Sequence, residues 1–386
     1  MAQAHFGVFE VHPTSRESCE AMASRTGRTV LAAIVGAAYG SLRGGDVSER
    51  RASSLLTNTG AVHGPFTLKK QFDLQRPPSD EFDVVEVADA FLTHSCANYV
   101  SDGSTVFSRD GSLVLKVASQ CSGGGCMNSG RVMSRDSFKY GLFVFSAKVP
   151  KCNYVWPAIW LLPGNTHGEG SYGRWPCSGE IDILETVHDH NFATFNLIGG
   201  YGSEGGCATE AGTLCNGCVP EYCVSTTYNE SKEATADRYF IEDVDCSADG
   251  THAWREHTFV LSWQPGELVT WVDPTLTYDS EGRLTSVTPA SPPEGAGNIA
   301  TWRYYQREST PTWQAVGDYM QQCFPGQAAD DAPFDDGFKI VLNIAVGGYG
   351  GSPCMWGTEA CQKDCGGAVG SELVLSNITV WDLAAP

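Results

Sequence analysis

Between Trp175 and Glu185 the chain reads Trp-Pro-Cys-Ser-Gly-Glu-Ile-Asp-Ile-Leu-Glu. Three carboxylates, Glu180, Asp182 and Glu185, stand among Ile181, Ile183 and Leu184. Two carboxyl groups about 5–5.5 Å apart are what retaining hydrolysis of a glycosidic bond needs, one as nucleophile and one as acid/base. The plainer use of the same residues is a solvated acidic edge strand. A structural strand gains nothing, however, from three acids on one face, because they repel each other.

The element that must position them is a strand. Side chains at i and i+2 share a face, so Glu180 and Asp182 point the same way. Glu185 is three residues beyond Asp182, and a regular strand would turn it to the other face. One extra residue near Ile183 and Leu184, taken up as a β-bulge, brings it back.

Other short apolar runs, broken by Gly, Asp, Asn and Ser, read as strands: Leu113–Val117, Leu142–Val149, Phe259–Trp263, Leu268–Val272, Phe338–Ala345 and Leu373–Trp381. No stretch shows a long 3.6-residue period. The pattern predicts an all-β sandwich or jelly roll. Two stretches read as loops, a Cys-rich insertion over 205–247 and the Pro-punctuated segment Asp273 to Trp302.

The flanks of the carboxylate strand are similar to the active-site signature of family 16 glycoside hydrolases, and most similar to laminarinase-like endo-β-1,3-glucanases. The resemblance is carried by Ser178-Gly179-Glu180-Ile181-Asp182-Ile183-Leu184-Glu185 after Trp175-Pro176. It continues in Phe138-Lys139-Tyr140-Gly141, Trp156-Pro157-Ala158-Ile159-Trp160-Leu161-Leu162-Pro163, His257-Thr258-Phe259 and Val341-Leu342-Asn343-Ile344-Ala345-Val346-Gly347-Gly348. The blocks keep the family's order from about residue 90 to 383. The resemblance implies a concanavalin A-like β-jelly-roll sandwich of two curved antiparallel sheets, with a concave groove for substrate. It implies Glu180 as nucleophile, Glu185 as acid/base and Asp182 as the residue between them.

Sugars present flat apolar faces, so aromatic rings are the expected platforms. Trp175, Trp160 and Trp156 are placed near the groove by the resemblance, with core packing as the plainer fate of the last two. Trp356, between Met355 and Gly357, is a further candidate. Asn196 stands where relatives usually carry histidine, and it can hydrogen-bond a sugar hydroxyl but not titrate. The Trp-rich opening strand of relatives is not found before Cys96. No catalytic metal or other cofactor is expected. Relatives allow a structural calcium, for which no ligand-rich loop is seen.

The chain has 386 residues and a net charge of −20. So acidic a surface argues against nucleic acid and anionic membranes as partners and suits a neutral β-glucan. Fifteen cysteines point to an oxidising compartment and disulfides. Zinc is the rival use, at Cys215, Cys218 and Cys223, but the second half of a zinc-finger pattern is missing. Residues 1–40 read as a leader containing a signal peptide. Arg25 and Arg28 precede the apolar run Thr29 to Ala38, too short to span a membrane, and Ala38-Tyr39-Gly40 offers a cleavage site. A start at Met22 would give that run an ordinary basic lead. A short buried helix is the alternative. Discarding Cys19 with the leader leaves fourteen cysteines of fifteen, an even number. Residues 41–65 read as a linker and 66–386 as the catalytic domain. Asn229 and Asn377 head glycosylation sequons.

The expectation is a secreted or cell-wall enzyme, a monomer that hydrolyses β-1,3-glucan or mixed-linkage β-glucan with retention. Two alternatives stand beside it. A β-glucan transglycosylase would use the same residues, and a non-catalytic β-glucan-recognition protein would commonly have lost the carboxylates.

Overall fold

Period-two alternation decides where the strands lie. In the computed structural model the six expected runs are strands, each within two residues of the expected ends: Ser112–Lys116, Gly141–Lys148, His257–Gln264, Glu267–Val272, Phe338–Val346 and Glu372–Asp382. The structure describes residues 60–88, 96–121, 127–150, 155–166, 168–173, 175, 177–186, 255–291, 301–309, 311–347 and 368–383, and the backbone alone of 192–198 and 238–240. All of them belong to the unit Ala52–Pro386. The expected leader, the linker up to residue 59, most of the 205–247 insertion, Asn229 and Trp356 lie outside the described residues.

The fold is a β-jelly-roll sandwich. One sheet has seven strands in the order Arg238–Phe240, Phe192–Ile198, Glu180–Glu185, Val155–Pro163, Phe338–Val346, Arg131–Ser134 and Phe82–Val84. The other has eight. Seven of them run Trp302–Gln306, Glu267–Val272, His257–Gln264, Gly141–Lys148, Glu372–Asp382, Ser112–Lys116 and Val106–Arg109, and Thr67–Gln71 also pairs with Glu372–Asp382. Pairing in both sheets is antiparallel.

The main core lies between the two sheets. Val155, Ile159 and Leu161 enter it from one strand, Phe338, Ile340, Leu342, Ile344 and Val346 from its neighbour, and Phe143, Phe145, Leu261 and Trp263 from the eight-stranded sheet. The alternate residues Ala158, Trp160, Leu162, Met133 and Val341 form a separate small cluster on the far face of the seven-stranded sheet. That far face carries the carboxylates.

Trp263 ties the layers together. It is fully buried, stands 5.1 Å from the Phe338 ring and 5.3 Å from the Tyr140 ring, and donates its indole N–H to the Phe334 carbonyl at 3.0 Å. Trp263→Ala is expected to destabilise the fold by about 3–5 kcal/mol, read from the urea midpoint. A cost below about 1 kcal/mol would show that the two sheets do not depend on this contact.

Three elements depart from the sequence reading. Part of the expected linker is folded: Val62–His63 pairs with Leu284–Thr288, and Val62 is fully buried. The expected loop Asp273 to Trp302 contains a hairpin, Thr275–Tyr278 with Leu284–Thr288. Its inner side, with Val62, Phe66 and Trp271, covers the outer face of the eight-stranded sheet. Helix α1, Pro311–Cys323, also went unread. Its residues Trp313, Val316 and Met320 are buried at a spacing of three and four, a stripe interrupted by Gly317 and short enough to escape a search for long periods. Among the described residues no helix is long and apolar enough to cross a membrane, and no group of three or more His, Cys, Asp or Glu could hold a metal ion.

Candidate active site

The bulge falls where the residue spacing requires it. On one side Ala158 pairs with Glu185, Ile159 with Leu184, and Trp160 with Asp182, so Ile183 is the extra residue. On the other side the register shifts between Asp182 and Glu185. Ile181, Ile183 and Leu184 all enter the core between the sheets. The price of the bulge is one unpaired residue; in return Glu180, Asp182 and Glu185 share the far face. Gly179, just before the strand, has φ +84°, and a Cβ there would stand 3.1 Å from the Phe334 ring. Only glycine meets both conditions cheaply.

Each glutamate is half-buried and is held by an indole. Trp156 Nε1 donates to Glu185 Oε1 at 2.8 Å, and Trp175 Nε1 donates to Glu180 Oε2 at 2.8 Å. Burial first, and the Glu185 carboxylate second, push the Glu180 carboxyl up to about 7. Hydrogen bonds from Asp182 and Trp175 and the Arg131 charge act the other way. The bond from Asp182 favours ionised Glu180.

Trp175 is 44 % exposed, a ring open to a ligand beside Glu180. Trp156 is half-buried. Trp160 corrects the expectation of a platform. It is 9 % exposed, its Nε1 donates to Asn343 Oδ1 at 2.7 Å, and the Arg131 guanidinium covers its ring at 5.1 Å. A sugar cannot stack there, so Trp160 is floor. Asn196 lies opposite Asp182 in the strand ladder. Trp263, Trp271 and Trp381 are buried, as their strand patterns predict.

The sequence reading missed Arg131, Asn343 and Tyr99. Arg131, Asn343, Ala158 and Glu185 form one cross-strand row. Asn343 Nδ2 donates to Tyr99 Oη at 3.2 Å, and the Arg131 guanidinium also stands 5.7 Å from the Tyr99 ring. A buried charge needs neighbours of this kind. The available signal was a polar residue inside an apolar strand run, Arg131 beside Val132 and Met133, and Asn343 between Leu342 and Ile344.

The site is a row of acids on the outer face of a β-jelly roll, with indole donors on two of them. The chain is similar to laminarinase-like members of glycoside hydrolase family 16. Residues 88–236 match the family model described as "XgeA-like, catalytic GH16 domain". A β-1,3-glucan-binding protein of Penaeus monodon is 30 % identical over 57 % of this chain and 46 % of its own length. A glucan endo-1,3-beta-glucosidase of Cryptopygus antarcticus is 28 % identical over 65 % of this chain and 69 % of its own. This chain therefore spans under half of the first relative and about two thirds of the second. The laminarinase structure from Rhodothermus marinus aligns with TM-score 0.49 at 18 % identity, covering 83 % of this chain and 98 % of that one.

Proposed function

We propose that this protein hydrolyses β-1,3-glucan, or mixed-linkage β-glucan, with retention of configuration. The observation that carries the reading is the bulge, which sets Glu185 on the face of Glu180 with an indole N–H on each carboxyl. Glu180 attacks the anomeric carbon while Glu185 gives its proton to the leaving oxygen. Glu185 then takes a proton from water, which cleaves the glycosyl-enzyme and restores both residues.

The assignment of roles follows from the neighbours. Trp175, Asp182 and Arg131 all favour the anion of Glu180, the form a nucleophile needs, against the burial and the Glu185 charge that raise it. Activity is then expected to fall on the acid side as the Glu180 carboxyl, raised to about 7, takes up a proton. The substrate is neutral, in keeping with a net charge of −20. Secretion fits the four described cysteines, Cys96, Cys121, Cys177 and Cys323, which are all disulfide-bonded. It fits equally the basic lead and apolar run ahead of Ser41.

Proton NMR of the first products from a soluble β-1,3-glucan tests the mechanism. The β-anomer is expected before mutarotation. Initial α-anomer would sink double displacement and both assigned roles. The recognition-protein reading has its own support in the Penaeus monodon relative, whose name records glucan binding. Tight glucan binding with no release of reducing sugar would establish it instead.

A further inference from the structure

Trp175 reaches Glu180 from a loop, and a loop alone holds an indole poorly. The described residues of this loop meet one turn of the chain at both ends. Near its start, Ser171 N donates to Asp336 Oδ2 at 2.6 Å, and Tyr172 Oη donates to Asp335 Oδ2 at 2.6 Å. At its end, Gly179 packs on the Phe334 ring and on Pro333. Gly170 is as close: a Cβ there would stand 2.7 Å from Asp336 Oδ2. Within the loop, Tyr172 N donates to Ser178 Oγ at 3.0 Å, and Ser178 Oγ donates to the Gly173 carbonyl at 2.7 Å. Gly168 lies under Trp175, where a Cβ would stand 3.1 Å from that residue's own Cβ.

The turn is itself anchored from three sides. Trp313 of α1 packs edge-on against Phe334 at 5.2 Å and donates to the Asp331 carbonyl at 3.2 Å. Trp263 of the core donates to the Phe334 carbonyl. Tyr140 Oη donates to Asp331 Oδ2 at 2.5 Å. Val316 and Met320 of α1, with Phe324, bury Tyr172 and Cys177 in one apolar cluster.

We propose that the turn Ala332–Asp336, carried by α1, is a positioning device: it grips both ends of the loop and so holds the Trp175 indole on Glu180. The inference rests on the reading of Glu180 as nucleophile. Asp335, Asp336 and Tyr172 touch no reacting atom and act only through Trp175. Both ends of the loop close on the same five residues, through Gly170, Ser171 and Tyr172 at its start and through Gly179 at its end. The groups that face Glu180 are Asp182 and Glu185 from its own strand, Arg131 from the strand Arg131–Ser134, and Trp175 from the loop. Of these, Trp175 is the one the turn can move.

The test is a double-mutant cycle read by pH. Trp175→Phe removes a donor that favours ionised Glu180. It should raise the acidic limb of kcat/KM by about one pH unit, the size of a hydrogen bond to a charged group. The alkaline limb belongs to the proton on Glu185 and should stay in place. Asp336→Ala and Tyr172→Phe should each shift the acidic limb in the same direction, and neither should add to the shift in a Trp175→Phe background. A purely structural role would lower Tm and leave the limb alone, and that result, or additive shifts, would overturn the proposal. Should Asp336→Ala not fold, Tyr172→Phe, which removes one oxygen, carries the cycle.

A second readout needs no activity. The part of the intrinsic fluorescence lost in Trp175→Phe should titrate with the carboxyl that its indole bonds, and Asp336→Ala should displace that titration. A wild type inert on every β-glucan would remove the functional reading. The fluorescence titration would then still decide the positioning role, with an undisplaced curve counting against it.

Discussion

Glu180→Gln is expected to lower kcat on soluble β-1,3-glucan by roughly four to six orders of magnitude, the range seen when a nucleophile that acts as part of a unit is removed. The amide has nearly the shape of the carboxylate. It can still accept the Trp175 N–H, so the ring beside it stays in place. On the proposed mechanism, what is lost is the charge that attacks the anomeric carbon and balances the developing oxocarbenium ion. Burial makes that charge costly to hold, and the amide removes the cost, so the variant should unfold at no lower temperature than the wild type. Glucan binding, measured by affinity electrophoresis in a laminarin gel, should persist. A variant that keeps more than about one per cent of the activity would take the nucleophile's role away from Glu180.

Glu185→Ala should behave differently, and the contrast separates the two roles. Loss of a general acid is worth about 10²–10⁴-fold on a substrate whose leaving group needs a proton. On an aryl β-glucoside with an acidic phenol as leaving group, formation of the glycosyl-enzyme needs no such proton and should be almost unchanged. Its hydrolysis still needs a base, so the variant should show a burst of phenol followed by a slow phase. Azide, a nucleophile that needs no base, should speed the slow phase. Equal losses on glucan and aryl glucoside, with no burst, would show that Glu185 does not supply the proton. Trp156 donates to this carboxyl, and truncating Glu185 leaves that indole N–H to water, so stability should be compared alongside.

Much of this molecule was readable before its structure. The strands came through because their alternation is local, and the carboxylate row came through because its odd spacing admits few explanations. The bulge needed only the observation that Asp182 and Glu185 are three apart. What did not come through depends on distant partners. Nothing near Arg131 in the chain says that Trp160 and Tyr99 will cover its guanidinium. Trp160 looked like a platform because its type suits sugar, yet its fate was decided by residues far away in sequence, Arg131 and Asn343. Val62–His63 reads as linker because two residues carry no period of their own; pairing with the hairpin strand gives them one. Helix α1 was hidden by Gly317. A side chain there would meet Arg307 Nε at 2.9 Å, so packing, not helix propensity, explains that glycine. The grip of Ala332–Asp336 on the Trp175 loop is invisible in sequence for the same reason, since its two halves lie about 160 residues apart.

The extra residue at Ile183 has a consequence for how such strands can change. It acts as a phase shift in the pleat. Before it, even-numbered residues look out of the sandwich, as Glu180 and Asp182 do. After it, the outward residue is odd-numbered, Glu185, and the ladder partners Ala158 and Trp160 keep their own parity throughout. A chain without Ile183 would present the same three acids in the ordinary pleat, with no shift at all. Two spellings of this strand, one residue different in length, therefore specify one outward row. The longer spelling differs on the inner side, where two consecutive apolar residues, Ile183 and Leu184, enter the core instead of one. A single-codon insertion or deletion at this point would thus alter packing behind the sheet while leaving the reactive face in frame.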